Sequence, residues 1–207
     1  DLVTLVQDAN FIFPGKDAVT MKIDSLIFNG LSLNGQPTTF KGRFLTDPEL
    51  TITNTKPTVI YGFAAVPANK TLTIEAGSKI YFHNNSGLIV DNKGTLKVNG
   101  TRTEKVIFEG DRLAPSFSEI SGQWGTIWMR GGSKNNEMNH AIIKNGIIGI
   151  LVDSIGTFFS PTLKLKNTEI YNHSNFGVLG RGTNIEGQNV VIGGAGQASL
   201  AATIGGT

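Results

Sequence analysis

The chain has 207 residues, with 18 Lys and Arg against 16 Asp and Glu for a formal net charge of +2. That balance excludes the basic footprint of a nucleic-acid-binding protein and gives an anionic membrane little to attract. Charged residues are 16 % of the chain, below the roughly 25 % of an average domain, while 39 % are hydrophobic, enough to bury a core instead of staying disordered. The 26 Gly, 18 Asn and 21 Thr point to short strands and tight turns. The absence of Cys rules out disulfides, zinc–thiolate sites, Fe–S clusters and thiol catalysis. No apolar run approaches the ~18 residues of a membrane-crossing helix, the longest being Ile147–Val152. The two ends read as those of a mature product or a piece of something longer.

Residues 1–56 show no regular period. Val3–Val6 and Asn10–Phe13 read as strand pieces, and Asp24–Pro48 carries the turn pairs Asn29-Gly30 and Asn34-Gly35. This segment is expected to be a linker and N-terminal cap.

From residue 57 to 207 the pattern changes. Thr58–Tyr61, Thr71–Ile74, Lys79–Phe82, Leu88–Val90, Thr95–Val98 and Val106–Phe108 are short β-branched runs, each closed by Gly, Asn or Asp. Thr71-Leu72-Thr73-Ile74 returns as Thr95-Leu96-Lys97-Val98 after 24 residues, and Lys79–Phe82 returns as Lys105–Phe108 after 26. A third series starts on a small residue, at Gly87, Gly125, Gly149, Gly177 and Ala198, with separations of 38, 24, 28 and 21. A period near 24 with three strands per repeat predicts an all-β, right-handed parallel β-helix of five to six coils, each stacked on the next at ~4.8 Å. The long interval marks an insertion, Gly110–Gln123. A β-sandwich also has recurring strands but does not keep register over so many repeats. An open solenoid end exposes strand edges, so further coils or a partner are expected to cover the last one.

The insertion is the first place to look for binding, because loops that break a solenoid's period gather on one face. Asp111, Arg112, Phe117, Glu119, Trp124, Trp128 and Arg130 lie in or beside it. Indole rings flanked by acids and Arg suit sugar rings, which stack on aromatics and take directional hydrogen bonds. Asp111, Arg112, Trp124, Trp128 and Arg130 are the ligand-binding candidates.

Counting to the fourth position after each small residue builds a column of Asp91, Met129, Asp153, Arg181 and Ala202. Asp153 and Arg181 are thereby expected to pair on neighbouring coils, either as a surface ion pair or as half of an acid/base site. They are the catalytic candidates of the alternative reading, a polysaccharide lyase or glycoside hydrolase working beside residues 110–123. Met129 interrupts the carboxylates, so no metal cluster is expected there. His83, His140 and His173 are 57 and 33 residues apart, which is not a whole number of coils, and they read as turn or surface residues. Asn145 and Asn172 end equivalent strands and predict a stacked Asn ladder. Nothing in the residues calls for a cofactor.

Thr71–Asp91 and Gly122–Asp153 carry a resemblance, most specific in Ile74-Glu75-Ala76-Gly77 followed by Phe82-His83, in Gly110-Asp111-Arg112-Leu113 and in Gly122-Gln123-Trp124-Gly125. Over residues 56–207 the chain resembles the right-handed parallel β-helix repeat proteins that bacteria export, often lipid-anchored, to the outer membrane or cell surface. Leu2–Phe13 resembles the exit strand of the immunoglobulin-like domain that precedes the helix in such proteins. The resemblance implies a non-enzymatic surface module whose partner is a glycan or envelope protein, with membrane contact only through a lipid anchor or a partner. The family has no agreed activity, so it implies no catalytic residues. Asp24-Ser25-Leu26 and Asp153-Ser154-Ile155 are similar to the O-glycosylation signal of some such bacteria, which makes Ser25 and Ser154 glycosylation candidates.

Overall fold

The structure, a computed structural model, describes residues 19–21, 26–31, 37–153 and 160–203. Its strands begin with β1 (Val19–Met21), β2 (Leu26–Leu31), β3 (Pro37–Phe44), β4 (Thr51–Ile52), β5 (Thr58–Ile60) and β6 (Phe63–Val66). They continue with β7 (Thr71–Glu75), β8 (Lys79–Phe82), β9 (Gly87–Val90), β10 (Thr95–Asn99), β11 (Val106–Gly110), β12 (Ile127–Met129) and β13 (Asn136–Asn139). The last are β14 (Ala141–Lys144), β15 (Ile148–Val152), β16 (Leu163–His173), β17 (Phe176–Arg181), β18 (Ile185–Ala195) and β19 (Ala198–Thr203). The described helical segments are two short 3₁₀ turns, Asp47–Leu50 and Pro115–Phe117.

These strands wind into a parallel β-solenoid of about 6 turns. One sheet runs β1-β5-β8-β11-β14-β16-β13-β10-β7-β4, with β18 on β16, and the other runs β19-β17-β15-β12-β9-β6-β3-β2. The described pairings are parallel except β2 with β3, an antiparallel hairpin at the edge. The first sheet has two arms that stay separate in the early coils and merge in β16, which pairs with both β13 and β14. The corner between the arms takes a left-handed residue in the last three coils: His140 between β13 and β14, then Asn167 in β16 and Asn189 in β18, at φ 49°, 49° and 54°. The coil ladders also take in strands upstream of residue 57, since β1 pairs with β5, β3 with β6 and β4 with β7.

Register explains the core. Ile80, Phe108, Ile143, Ile170 and Ile192 stack in one inward column, and Leu88, Ile127, Ile150, Val178 and Leu200 in another. Each coil buries its apolar side chains only against its neighbours, so packing is a sum of coil-on-coil contacts. The second sheet is apolar on its outer face too: Ala65, Ile89, Trp128, Leu151 and Leu179 are aligned and at most 6 % exposed. Buried parallel strands carry such continuous apolar runs in place of alternation.

The small residues that head the third series have a steric reason. A Cβ on Gly149 would lie 2.5 Å from the Gly177 carbonyl oxygen and 2.8 Å from His173 Nε2, and one on Gly177 would lie 2.5 Å from the Ser199 carbonyl. Coils cannot part locally without losing their ladder bonds. Gly149→Ala is therefore expected to destabilise the fold by about 1–3 kcal/mol, as overpacked sites do. Urea unfolding with an unchanged midpoint would show that the coils can give way.

Candidate functional site

The insertion leaves the coil after β11 and is pinned from below. Gln123 Nε2 donates to the carbonyls of Phe117 and Ile120, each at 2.7 Å, and Asn145 Nδ2 donates to Ser118 O at 2.9 Å. Gly110 is required at the exit, because a Cβ there would meet the Gln123 amide at 2.7 Å. Arg112 is exposed, its guanidinium 5.1 Å over the Phe117 ring. Glu119 is exposed on the loop as well. Asp111, by contrast, is buried and accepts a hydrogen bond from His83 Nδ1 at 2.7 Å. The His83 side chain is 45 % exposed and packs on the Tyr61 ring at 4.6 Å.

The two indoles do not face this loop as a platform. Trp124 is 0 % exposed, stacks on Phe82 at 4.4 Å in the core and donates its N–H to Lys144 O at 2.8 Å. Trp128 is 3 % exposed and donates to Asp153 Oδ2 at 2.8 Å. Neither presents a ring face on which a sugar could stack.

Asp153 and Arg181 do meet. Arg181 Nε and Nη2 donate to the two carboxylate oxygens at 2.5 and 2.6 Å. The column around them differs from the sequence expectation by one residue. Leu88 aligns with Ile127, so Met129 points inward at 0 % exposure and Arg130 takes the outward place. The next coils align Val152 with Gly180 and Arg181 with Thr203, so Thr203, not Ala202, follows. The column reads Asp91, Arg130, Asp153, Arg181. Arg130 donates to Asp91 at 2.8 Å and lies 5.7 Å over the Trp128 ring. Charges in register on neighbouring strands repel when alike, and here the sign alternates from coil to coil.

A second alternating column lies on the outer face of the first sheet, along β10, β13, β16 and β18: Lys97, Glu137, Lys164 and Glu186 are in register. Glu137 contacts Lys97 and Lys166, both at 3.3 Å, and Lys164 contacts Glu186 at 3.4 Å. Burial pushes the Glu137 carboxyl up, but hydrogen bonds from Lys166 and Lys97 outweigh it and hold the group below its usual range. Lys97, Glu137, Lys164 and Lys166 line an open polar groove of about 570 Å³ that crosses several coils, with Thr71, Thr95 and Asn135 along it. Sequence reasoning missed this groove because Asn136 stands where Leu96 and Leu163 point into the core. Asn136 is 1 % exposed, accepts from Leu96 N at 2.9 Å and donates to Thr162 O at 3.0 Å, so its amide bridges backbones of adjoining coils. Lys97 and Glu137 are 40 residues apart, two more than the long step of the third series, so extrapolating the repeat lands on Asn135 and misses the alternation.

A third outward column aligns Tyr81 with Glu109 and Lys144 with Tyr171, and Lys144 reaches Glu109 at 3.0 Å. Burial first, then the Glu109 charge, pushes the Tyr81 phenol up to about 12. The Asn ladder is present, with Asn172 Nδ2 donating to Asn145 Oδ1 at 2.7 Å. His140 occupies its corner as a turn residue, but His173 departs from expectation. It is 1 % exposed and bridges two coils, Nδ1 accepting from Gly146 N at 3.1 Å and Nε2 donating to Ile143 O at 3.2 Å. Among the described residues no group of three His, Cys, Asp or Glu is placed to hold a metal ion, and no helix is long and apolar enough to cross a membrane. Ser25, Ser154 and the strand pieces of residues 1–13 lie outside the described residues.

Comparison with known proteins finds no matching family model, curated protein or solved structure.

Burial lowers the His173 imidazole from 6.5 to about 4, against the pull of the hydrogen bond from Nε2 to the Ile143 carbonyl. The unfolded chain therefore takes up this proton before the folded one does, so stability is full above pH ~6.5 and falls towards pH ~4, by about 3 kcal/mol. Urea unfolding at pH 7 and pH 4 should show the gap between the native protein and His173→Gln narrowing by that amount. A constant gap would mean that folding leaves the proton affinity of the imidazole unchanged.

Proposed function

We propose that this β-solenoid is a non-catalytic module that holds a polysaccharide chain along its stacked coils, working as an exported protein at a bacterial outer membrane or cell surface. The observation that carries this reading is the open polar groove crossing the coils beside Lys97, Glu137 and Lys164. Coils repeat every ~4.8 Å, close to the rise of an extended glycan per sugar, so the lysines, which recur at every second coil of the column, meet groups spaced about two sugars apart. Binding without turnover fits the carboxylates present. Glu137 is the one carboxylate among the described lining residues, and it is held by two lysines. A glycosidase needs two carboxyls across the bond it cleaves. The surface location and the glycan or envelope partner rest on the resemblance of residues 56–207 to exported β-helix proteins.

One observation favours the second reading, a lyase or hydrolase beside the insertion. The buried Asp111 carboxylate orients the exposed His83 imidazole, as in groups that move protons in catalysis. A panel of polysaccharides, scored for retention of the purified protein and for new reducing or unsaturated ends with and without calcium, separates the two. Retention without new ends is expected. Turnover that is lost in His83→Ala or Asp111→Asn, yet kept in Lys97→Gln, would make the protein an enzyme and sink the module reading.

A further inference from the structure

We infer that the groove selects a polyanionic glycan, one carrying carboxylate or sulfate groups repeatedly along its chain, and that Lys97, Lys164 and Lys166 are its anchors. This rests on the reading of the groove as a glycan site and adds the class of glycan.

The first argument is what the groove lacks. None of its described lining residues is aromatic, so the stacking that recognises a neutral sugar face is missing, and recognition falls to hydrogen bonds and charge. The second is the charge itself. Lys97, Lys164 and Lys166 face Glu137 and Glu186 across the coils. The turns that lead into the groove add Lys93 and Lys134, both exposed. Lys134 is tied to the groove edge through Thr95 Oγ1, which donates to its carbonyl at 2.9 Å, and through its own N–H, bonded to Gly94 O at 3.1 Å. Lys70, at the head of β7, is already paired with Asp47 at 2.8 Å. The described lining residues thus hold three lysines against one glutamate, in a chain whose whole net charge is only +2.

The third argument is how loosely those lysines are held. Each ammonium has three donors, and the contacts to Glu137 and Glu186 are long, at 3.3–3.4 Å. The three side chains are 34–43 % exposed, so an anion can reach them from solvent without unpacking the coil. Glu137 sits between Lys97 and Lys166 and occupies the place that a ligand's anionic group would take. It is a built-in competitor.

That competition gives the test a direction that a purely structural ion ladder does not share. Binding of the full chain would be measured to polygalacturonate, its methyl ester, chondroitin sulfate and xylan, at low and high salt. Polygalacturonate or chondroitin sulfate should bind, the uncharged methyl ester and xylan at least about tenfold more weakly, and high salt should erase the difference. Polygalacturonate carries carboxylates alone and chondroitin sulfate carries carboxylates and sulfates, so their ranking shows whether sulfate adds to the binding. Replacing Lys97, Lys164 and Lys166 together by Gln should weaken acidic binding about tenfold or more, and Glu137→Gln should strengthen it several-fold. Circular dichroism would check that both variants keep their strands. Equal binding of the methyl ester and polygalacturonate, or weaker acidic binding in folded Glu137→Gln, overturns the inference and leaves the module reading intact. Silence towards all four polymers overturns both.

Discussion

Everything in this molecule answers to one constraint: equivalent residues of successive coils lie in register, a strand spacing of ~4.8 Å apart. At that spacing a side chain's main neighbours are its own counterparts above and below. Apolar positions become continuous columns, such as Ile80-Phe108-Ile143-Ile170-Ile192. Amide positions become chains in which each Asn donates to the next, as Asn189 does to Asn167 and Asn167 to Asn139. Charged positions cannot repeat, because like charges in register repel. Asp91-Arg130-Asp153-Arg181 and Lys97-Glu137-Lys164-Glu186 alternate for the same reason that the apolar columns do not.

The period was legible because the stacking writes it into the chain: Thr71–Ile74 and Thr95–Val98 are paired residue by residue, and the insertion fell where the spacing jumped. What was not legible came from places where the backbone, not the motif, sets the register. Gly125 looks like the head of its strand, but the chain returning from the insertion makes a bridge at Trp124 and aligns Thr126 with Gly149, which shifts the outward column by one. Asn136 hid a strand because a polar residue in an inward column breaks the apolar pattern, although its amide satisfies backbone groups that water cannot reach. His173 read as a surface residue for a related reason: imidazole is as often exposed as buried, and only the coil-to-coil bonds to Gly146 and Ile143 place it inside. The strands before residue 57 pair with the coils without sharing their repeat, so periodicity could not reveal them.

The same constraint limits where chemistry can sit. A side chain whose polar atoms are taken by its counterparts has none left for a ligand. Asp153 holds Arg181 through both oxygens and takes the Trp128 N–H as well, which is a lattice of mutual satisfaction and not a poised acid. Trp124 is committed in the same way to Phe82 and to the Lys144 carbonyl. The sequence candidates with the most chemical character are thus the ones the stacking uses most fully.

The columns that remain available are those at the solvent side, where long flexible side chains meet their partners at 3.3–3.4 Å and stay over a third exposed. Exposed ion pairs of this kind add little to stability, so the fold can give them up at small cost. A ligand that takes over a lysine from Glu137 would replace a weak contact with one of similar strength, then gain by repeating the exchange at the next lysine, two coils on. Selectivity in such a site arises from matching period and charge along several coils, more than from any single tight pocket. A solenoid whose outward charges alternate for structural reasons therefore already holds cations at every second coil, and Lys166, beside Lys164 on the same strand, tips that row from neutral to positive.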